Sequence, residues 1–101
     1  MKTYQVVFTT EARYDLDAIY NYIAFDVENP FGAVKVIDAI LNKCLKLVIV
    51  PKASAIRYVV NGESIRFTRA GKYTIAYCIN DKNATVYVKT IFYSRRNIRL
   101  G

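Results

Sequence analysis

The sequence predicts an α+β domain in which a two-helix hairpin packs on an antiparallel β-sheet. Apolar residues recur at helical spacing from Ala12 to Val48, then alternate at strand spacing from Arg57 to Tyr93, and a short β-type run precedes both. Asn61-Gly62, between two alternating runs, is the strongest two-residue hairpin signal available. With 101 residues and 53% hydrophobic content, one core can form without disulfides or metal, so residues 1–101 read as a single domain.

The elements follow in order. Tyr4-Gln5-Val6-Val7-Phe8 is the first strand, and Thr9-Thr10 stands where a helix cap belongs. Ala12, Leu16, Ile19, Tyr20 and Ile23 then line one helical face, with Arg13, Asp15, Asp17 and Asn21 on the other. This helix should stop near Asp26–Asn29. Asn29 caps a second helix that opens on Pro30, buries Ala33, Ile37, Ile40, Leu41, Cys44, Leu47 and Val48, and ends before Pro51. Beyond a polar patch, Arg57–Val60 is a short strand or only a loop edge. Glu63–Phe67, Tyr73–Ile79 and Thr85–Tyr93 are the strands of a meander, joined through Ala70-Gly71-Lys72 and Asn80-Asp81-Lys82-Asn83. Three or four antiparallel strands would bury one face under the helices and leave the other face and the strand ends to carry charge.

That charge is divided unequally. Residues 51–101 hold ten Lys/Arg against only Glu63 and Asp81, whereas the first fifty residues hold five against six. The second half is a basic sheet, built to meet a polyanion or an acidic protein. Cys44 and Cys78 have neither CxxC spacing nor a histidine to complete a zinc site, so they read as small buried apolar residues in a reducing cytosol, and no cofactor or metal is expected. No signal-like core opens the chain and no apolar run could span a bilayer, so the expected location is cytoplasmic, with no membrane partner.

Several motifs in this order resemble a known family. They are Asp15-Leu16-x-x-Ile19-x-x-Tyr22-Ile23, then Arg66 leading through Gly71-Lys72-Tyr73-x-Ile75-x-Tyr77, then Ile91-Phe92-Tyr93-x-Arg95-Arg96-Asn97. Together with the βααβββ order, they resemble the RelE/ParE superfamily of type II toxin–antitoxin toxins over nearly the whole chain. The resemblance implies a small basic toxin neutralised by a cognate antitoxin that wraps it, as a homodimer or as a hetero-oligomer with that antitoxin. It also implies one of two targets: mRNA cleaved in the ribosomal A site in the RelE-like branch, or DNA gyrase poisoned without nuclease activity in the ParE-like branch.

The departures from the nuclease pattern separate the branches. Where the nucleases carry a lysine pair on the strand before the turn, this chain has Ile65 and Phe67, and where they carry an arginine after the next strand's opening tyrosine it has Thr74. The histidine of a related nuclease has no counterpart; Tyr93 stands near its place. The nuclease-like set that remains is Arg66, Arg69, Tyr93, Arg95 and Arg96.

Metal-free RNA cleavage needs a base for the 2′-OH proton, cations for the phosphorane and an acid for the leaving oxygen. Arginines abound, but Tyr93 is a base only if Arg95 and Arg96 pull its pKa far below the ordinary ~10; packing as a strand-end aromatic is the rival reading. Neighbours on a strand point to opposite faces, so at most one of Arg95 and Arg96 serves a given site, and Arg66 and Arg69 cannot share one. Asp15, Asp17 and Asp38 read as surface charges on polar helix faces. Tyr73 and Tyr77 read as core residues, with base stacking as the alternative. The expected function is therefore a toxin, ParE-like and acting on DNA gyrase. The alternatives are a ribosome-dependent mRNA endonuclease and a non-toxic RNA-binding module, and whether the chain is an enzyme stays open. Arg66, Arg95 and Arg96 are expected to serve activity more than folding.

Overall fold

The computed structural model describes residues 2–95. Strand β1 (Gln5–Phe8) leads into α1 (Thr10–Asn21), which continues as one π-helical turn over Tyr22–Asp26; α2 spans Pro30–Leu45 and ends in a 3₁₀ turn over Lys46–Val48. Then come β2 (Ile56–Val60), β3 (Glu63–Ala70), β4 (Tyr73–Asn80) and β5 (Thr85–Tyr93). Among the described residues no helix is long and apolar enough to cross a membrane.

The helix ends follow from their capping residues. Thr9 Oγ1 accepts the Ala12 N–H at 3.1 Å and donates its own proton to the Lys89 carbonyl, which ties the start of α1 to β5. The π turn carries both Ile23 and Ala24 into the interior, although they are adjacent. Asn29 Oδ1 accepts the Gly32 N–H at 2.9 Å ahead of Pro30 at the first helical position. A Cβ on residue 32 would stand 2.3 Å from Asn29 Nδ2, so glycine there leaves room for the cap.

The sheet has five strands in the order β1-β5-β4-β3-β2. The three meander pairings are antiparallel, but β1 joins the free edge of β5 in parallel, Val6 opposite Val86. This corrects the expectation of three or four antiparallel strands: a four-residue run carries no local signal of its partner. Ile56–Val60 is likewise a full edge strand rather than a loop edge, because the Asn61-Gly62 turn, with φ of 50° and 79°, closes it onto β3.

One bulge sets the side-chain pattern. Ala76 pairs with Thr90 but Tyr77 with Val88, so Lys89 is an extra residue on β5 and the inward positions become Val86, Val88 and Ile91. These pack with Ala70 and Ile75 against Ala12, Ile40 and Cys44 of the helices. The fully buried Tyr77 donates its hydroxyl to the Pro51 carbonyl at 2.7 Å, holding the loop after α2 against the sheet. Tyr73 and Tyr77 thus both serve the helix-side packing.

The other face carries a second apolar cluster, Ile65, Ala76, Cys78 and Phe92, flanked by Phe67, Val60 and Tyr87. Cys44 and Cys78 lie on opposite faces, both as free thiols. Burial pushes Cys44 up to about 12; burial first, and then the Glu63 carboxylate, push Cys78 up to about 11.

Candidate functional site

Strand parity divides the sequence-derived set. Arg66 lies opposite Tyr77 on the helix side of β3, and its guanidinium donates to the carbonyls of Ser54 and Lys52, pinning the loop that precedes β2. Arg66 was expected to serve activity more than folding; in the fold its charged donor also satisfies two loop carbonyls and so holds structure. Arg69 emerges on the open face, exposed, and its guanidinium donates to the Gly71 carbonyl at 3.5 Å. Tyr93 is again on the helix side, its ring edge-to-face with Tyr73 at 5.6 Å. Burial raises the Tyr73 phenol above its usual range, with Tyr93 and Tyr22 adding to the effect. Arg95 is exposed just past β5, and Arg96 lies outside the described residues.

Arg66, Arg69 and Tyr93 therefore do not converge. Arg66 is four residues from Ala70, the strand position level with Tyr93, or roughly 13 Å along the strand. Arg69 is nearly level with Tyr93 but on the opposite face.

What the sheet gathers on its open face is different. Ile65, Phe67 and Thr74, the three departures from the nuclease pattern, all lie there, with Ala76, Phe92 and Ser94. Tyr58, Phe67 and Phe92 form an aromatic row with centroid separations of 5.8 and 5.6 Å, and the Arg57 guanidinium sits 5.1 Å above the Phe67 ring. At one end, Thr74 Oγ1 and Ser94 Oγ share a hydrogen bond of 2.8 Å beside Arg69. At the other end, Glu63 is occupied by Lys89 at 3.2 Å and by the Cys78 thiol. The middle of the face is apolar, and among the described residues no unengaged carboxylate stands among its cations to act as a base.

Asp15 corrects a second expectation. It is not a free surface charge: its Oδ2 accepts from Thr90 Oγ1 at 2.8 Å and from the Ile91 N–H at 2.9 Å, fastening α1 to β5 just past the bulge. Asp17 and Asp38 are exposed, as expected. The residues that sequence reasoning missed, Arg57, Ser94 and Asp15's partners, become visible only through register. A further surface is apolar and unpartnered: around the turn between the helices Tyr22, Phe25, Val27 and Val34 are exposed, and Phe31 is 83% exposed.

Residues 6–98 match the family model described as the ParE toxin of the type II toxin–antitoxin system parDE. No curated protein matches the chain significantly. Among solved structures, the chain resembles one in a chromosomal ParDE system from Pseudomonas aeruginosa (TM-score 0.71, 22% identity, covering 90% of this chain and 96% of that one). It also resembles one in a RelBE toxin–antitoxin complex from Mycobacterium tuberculosis (0.67, 23%, 90% and 98%). A third is in the archaeal RelE–RelB complex from Pyrococcus horikoshii (0.65, 15%, 94% and 99%). At these identities the three establish the fold alone.

Proposed function

The chain belongs to the ParE toxins of type II toxin–antitoxin systems, and from that premise we propose that it arrests growth by binding a protein target, DNA gyrase, rather than by cutting RNA. The observation that carries this reading is the composition of the open sheet face. Ile65, Phe67 and Thr74 replace the nuclease cations on one and the same surface, and their neighbours complete an aromatic and apolar packing there. A phosphorane forming over that surface would meet hydrocarbon where charge stabilisation is needed.

The partner expected to neutralise the toxin is an antitoxin. The basic sheet and the exposed apolar residues around Phe25 and Phe31 suit an acidic, amphipathic chain that covers both. Co-expression with the product of a neighbouring short acidic gene should restore growth that this chain alone arrests.

The test is direct. Purified protein is added to a translating lysate and, separately, to a gyrase supercoiling reaction. The expected result is intact mRNA, blocked supercoiling and cleaved DNA trapped on the enzyme. Codon-defined mRNA cleavage that Tyr93→Phe abolishes would replace this reading with the ribosome-dependent one.

A further inference from the structure

The helix turn is the acidic end of a basic molecule. Between Arg13 and Lys35 the sequence holds Asp15, Asp17, Asp26 and Glu28 and no Lys or Arg, in a chain of net charge +7. Asp15 is occupied by Thr90 and Ile91. Asp26 and Glu28 are exposed and make no salt bridge among the described residues, whose ion pairs are Lys52–Asp81 and Lys89–Glu63. The same stretch presents Tyr22, Phe25, Val27, Phe31 and Val34 to solvent, with Phe25 69% and Phe31 83% exposed. Large rings left in water beside free carboxylates call for a partner surface that is both apolar and basic.

The chain carries such a surface itself, on the opposite layer. The open sheet face offers the row Tyr58, Phe67 and Phe92, with the Arg57 guanidinium over Phe67 and exposed Arg69 two residues further along β3. The sequence has no Asp or Glu between Asp38 and Glu63 and none between Glu63 and Asp81, and Glu63 itself is taken by Lys89. Neither patch suits its own image across a two-fold axis. Turn on turn sets carboxylate against carboxylate, and face on face sets guanidinium against guanidinium. Within one chain the two patches do not meet, because the helices pack on the other side of the sheet from the Phe67 row. The turn of one copy on the open face of another pairs opposite charges and apolar with aromatic surface.

We propose that the protein associates with itself head to tail, the helix turn around Phe25 and Phe31 of one copy seating on the Tyr58–Phe67–Phe92 face of the next, with Asp26 and Glu28 against Arg57 and Arg69. Such a contact is heterologous, so it extends into open chains or closes into rings instead of stopping at a two-fold dimer. It is measured on the purified chain alone, so it stands or fails apart from gyrase inhibition.

The experiment is sedimentation velocity of the intact chain from roughly 10 µM to 1 mM, the range of a weak contact. Average mass should rise with concentration beyond that of a dimer. Asp26→Lys/Glu28→Lys and Arg57→Glu/Arg69→Glu should each weaken self-association roughly 10-fold or more, because each sets like charges together. Mixing the two variants should restore it, since the turn of either then faces opposite charge on the other. One chain carrying all four reversals, which keeps the net charge, should also regain it. Phe31→Ser removes a ring that the fold leaves in solvent, so it should keep the melting temperature and weaken association roughly 10-fold. Self-association kept by either reversed pair, a mixture of the two that stays monomeric, or a wild-type chain still monomeric at about 1 mM would overturn the contact.

Discussion

Asp15 on α1 and Thr90 on β5 are joined by a hydrogen bond of 2.8 Å, and the same carboxylate oxygen takes the neighbouring Ile91 N–H at 2.9 Å. This contact follows the Lys89 bulge, where the ladder to β4 is interrupted and β5 reverses its inward parity. Asp15→Ala leaves the Ile91 N–H without its partner, so it should destabilise the fold by about 2 kcal/mol in urea titration. Asp15→Asn, which keeps a carbonyl acceptor, should recover part of that. A loss in Ala no larger than that of the exposed Asp17→Ala would show that the clamp is not formed.

Arg66 answers a question that strand parity raised. Its side chain holds the carbonyls of Ser54 and Lys52, as Tyr77 holds that of Pro51 in the same loop. Arg66→Ala should therefore lower stability by about 1–2 kcal/mol while leaving growth arrest intact where the protein is folded. Arrest lost at unchanged melting temperature would return Arg66 to the functional set.

Much of the fold is legible in the sequence, and the limits have physical causes. Thr9, Asn29, Pro30 and Asn61-Gly62 act within four residues of themselves, so capping and turn chemistry reveal them locally. The opposite faces of Arg66 and Arg69 follow from period two alone. Three features do not. The parallel docking of β1, the bulge at Lys89 and the Thr74–Ser94 pair each depend on which residue stands across a gap between strands, and that register is written in no single segment. Asp15 is illegible for the same reason: its polar helix position is ordinary, and only β5 makes it a clamp.

Phe67 links the two outer members of the aromatic row, Tyr58 and Phe92, and carries Arg57 on its own face. Phe67→Lys, which restores a nuclease-type residue, places an ammonium among these rings. It should cost about 2–3 kcal/mol without conferring mRNA cleavage, since among the described residues the face has no free base. Cleavage gained in the Ile65→Lys/Phe67→Lys pair would show that cations alone separate the two branches.

Glu28 is exposed in the connection between the helices and held at φ 59°, a conformation that costs an L-residue about 1 kcal/mol or more. Glu28→Gly relieves that cost, less the entropy glycine adds to the unfolded chain, for a net gain of roughly 0.5 kcal/mol. Glu28→Ala keeps the strain and should gain nothing. Equal melting temperatures for the Gly and Ala variants would mean the left-handed turn is not strained in solution.

Asp81 closes the turn between β4 and β5. It accepts the Tyr4 hydroxyl at 2.8 Å and pairs with Lys52 at 3.2 Å. The Tyr4 hydrogen bond first, and then Lys52, hold its carboxyl below the usual carboxylate range, while the same hydrogen bond raises the Tyr4 phenol. A depressed carboxyl binds its proton less readily folded than unfolded. Its contribution to stability is therefore present above the ordinary value of about 3.9 and is lost as pH falls through the folded value. The raised phenol works in the opposite sense, contributing below its ordinary value near ~10 and fading as pH climbs through the higher folded one. Asp81→Asn should flatten the acid limb below about pH 4, and Tyr4→Phe should flatten both limbs, in melting temperatures taken across pH. Asp81 is exposed, so salt should weaken the effect; acid and alkaline limbs unchanged in both variants would show that the pair does not bind in solution.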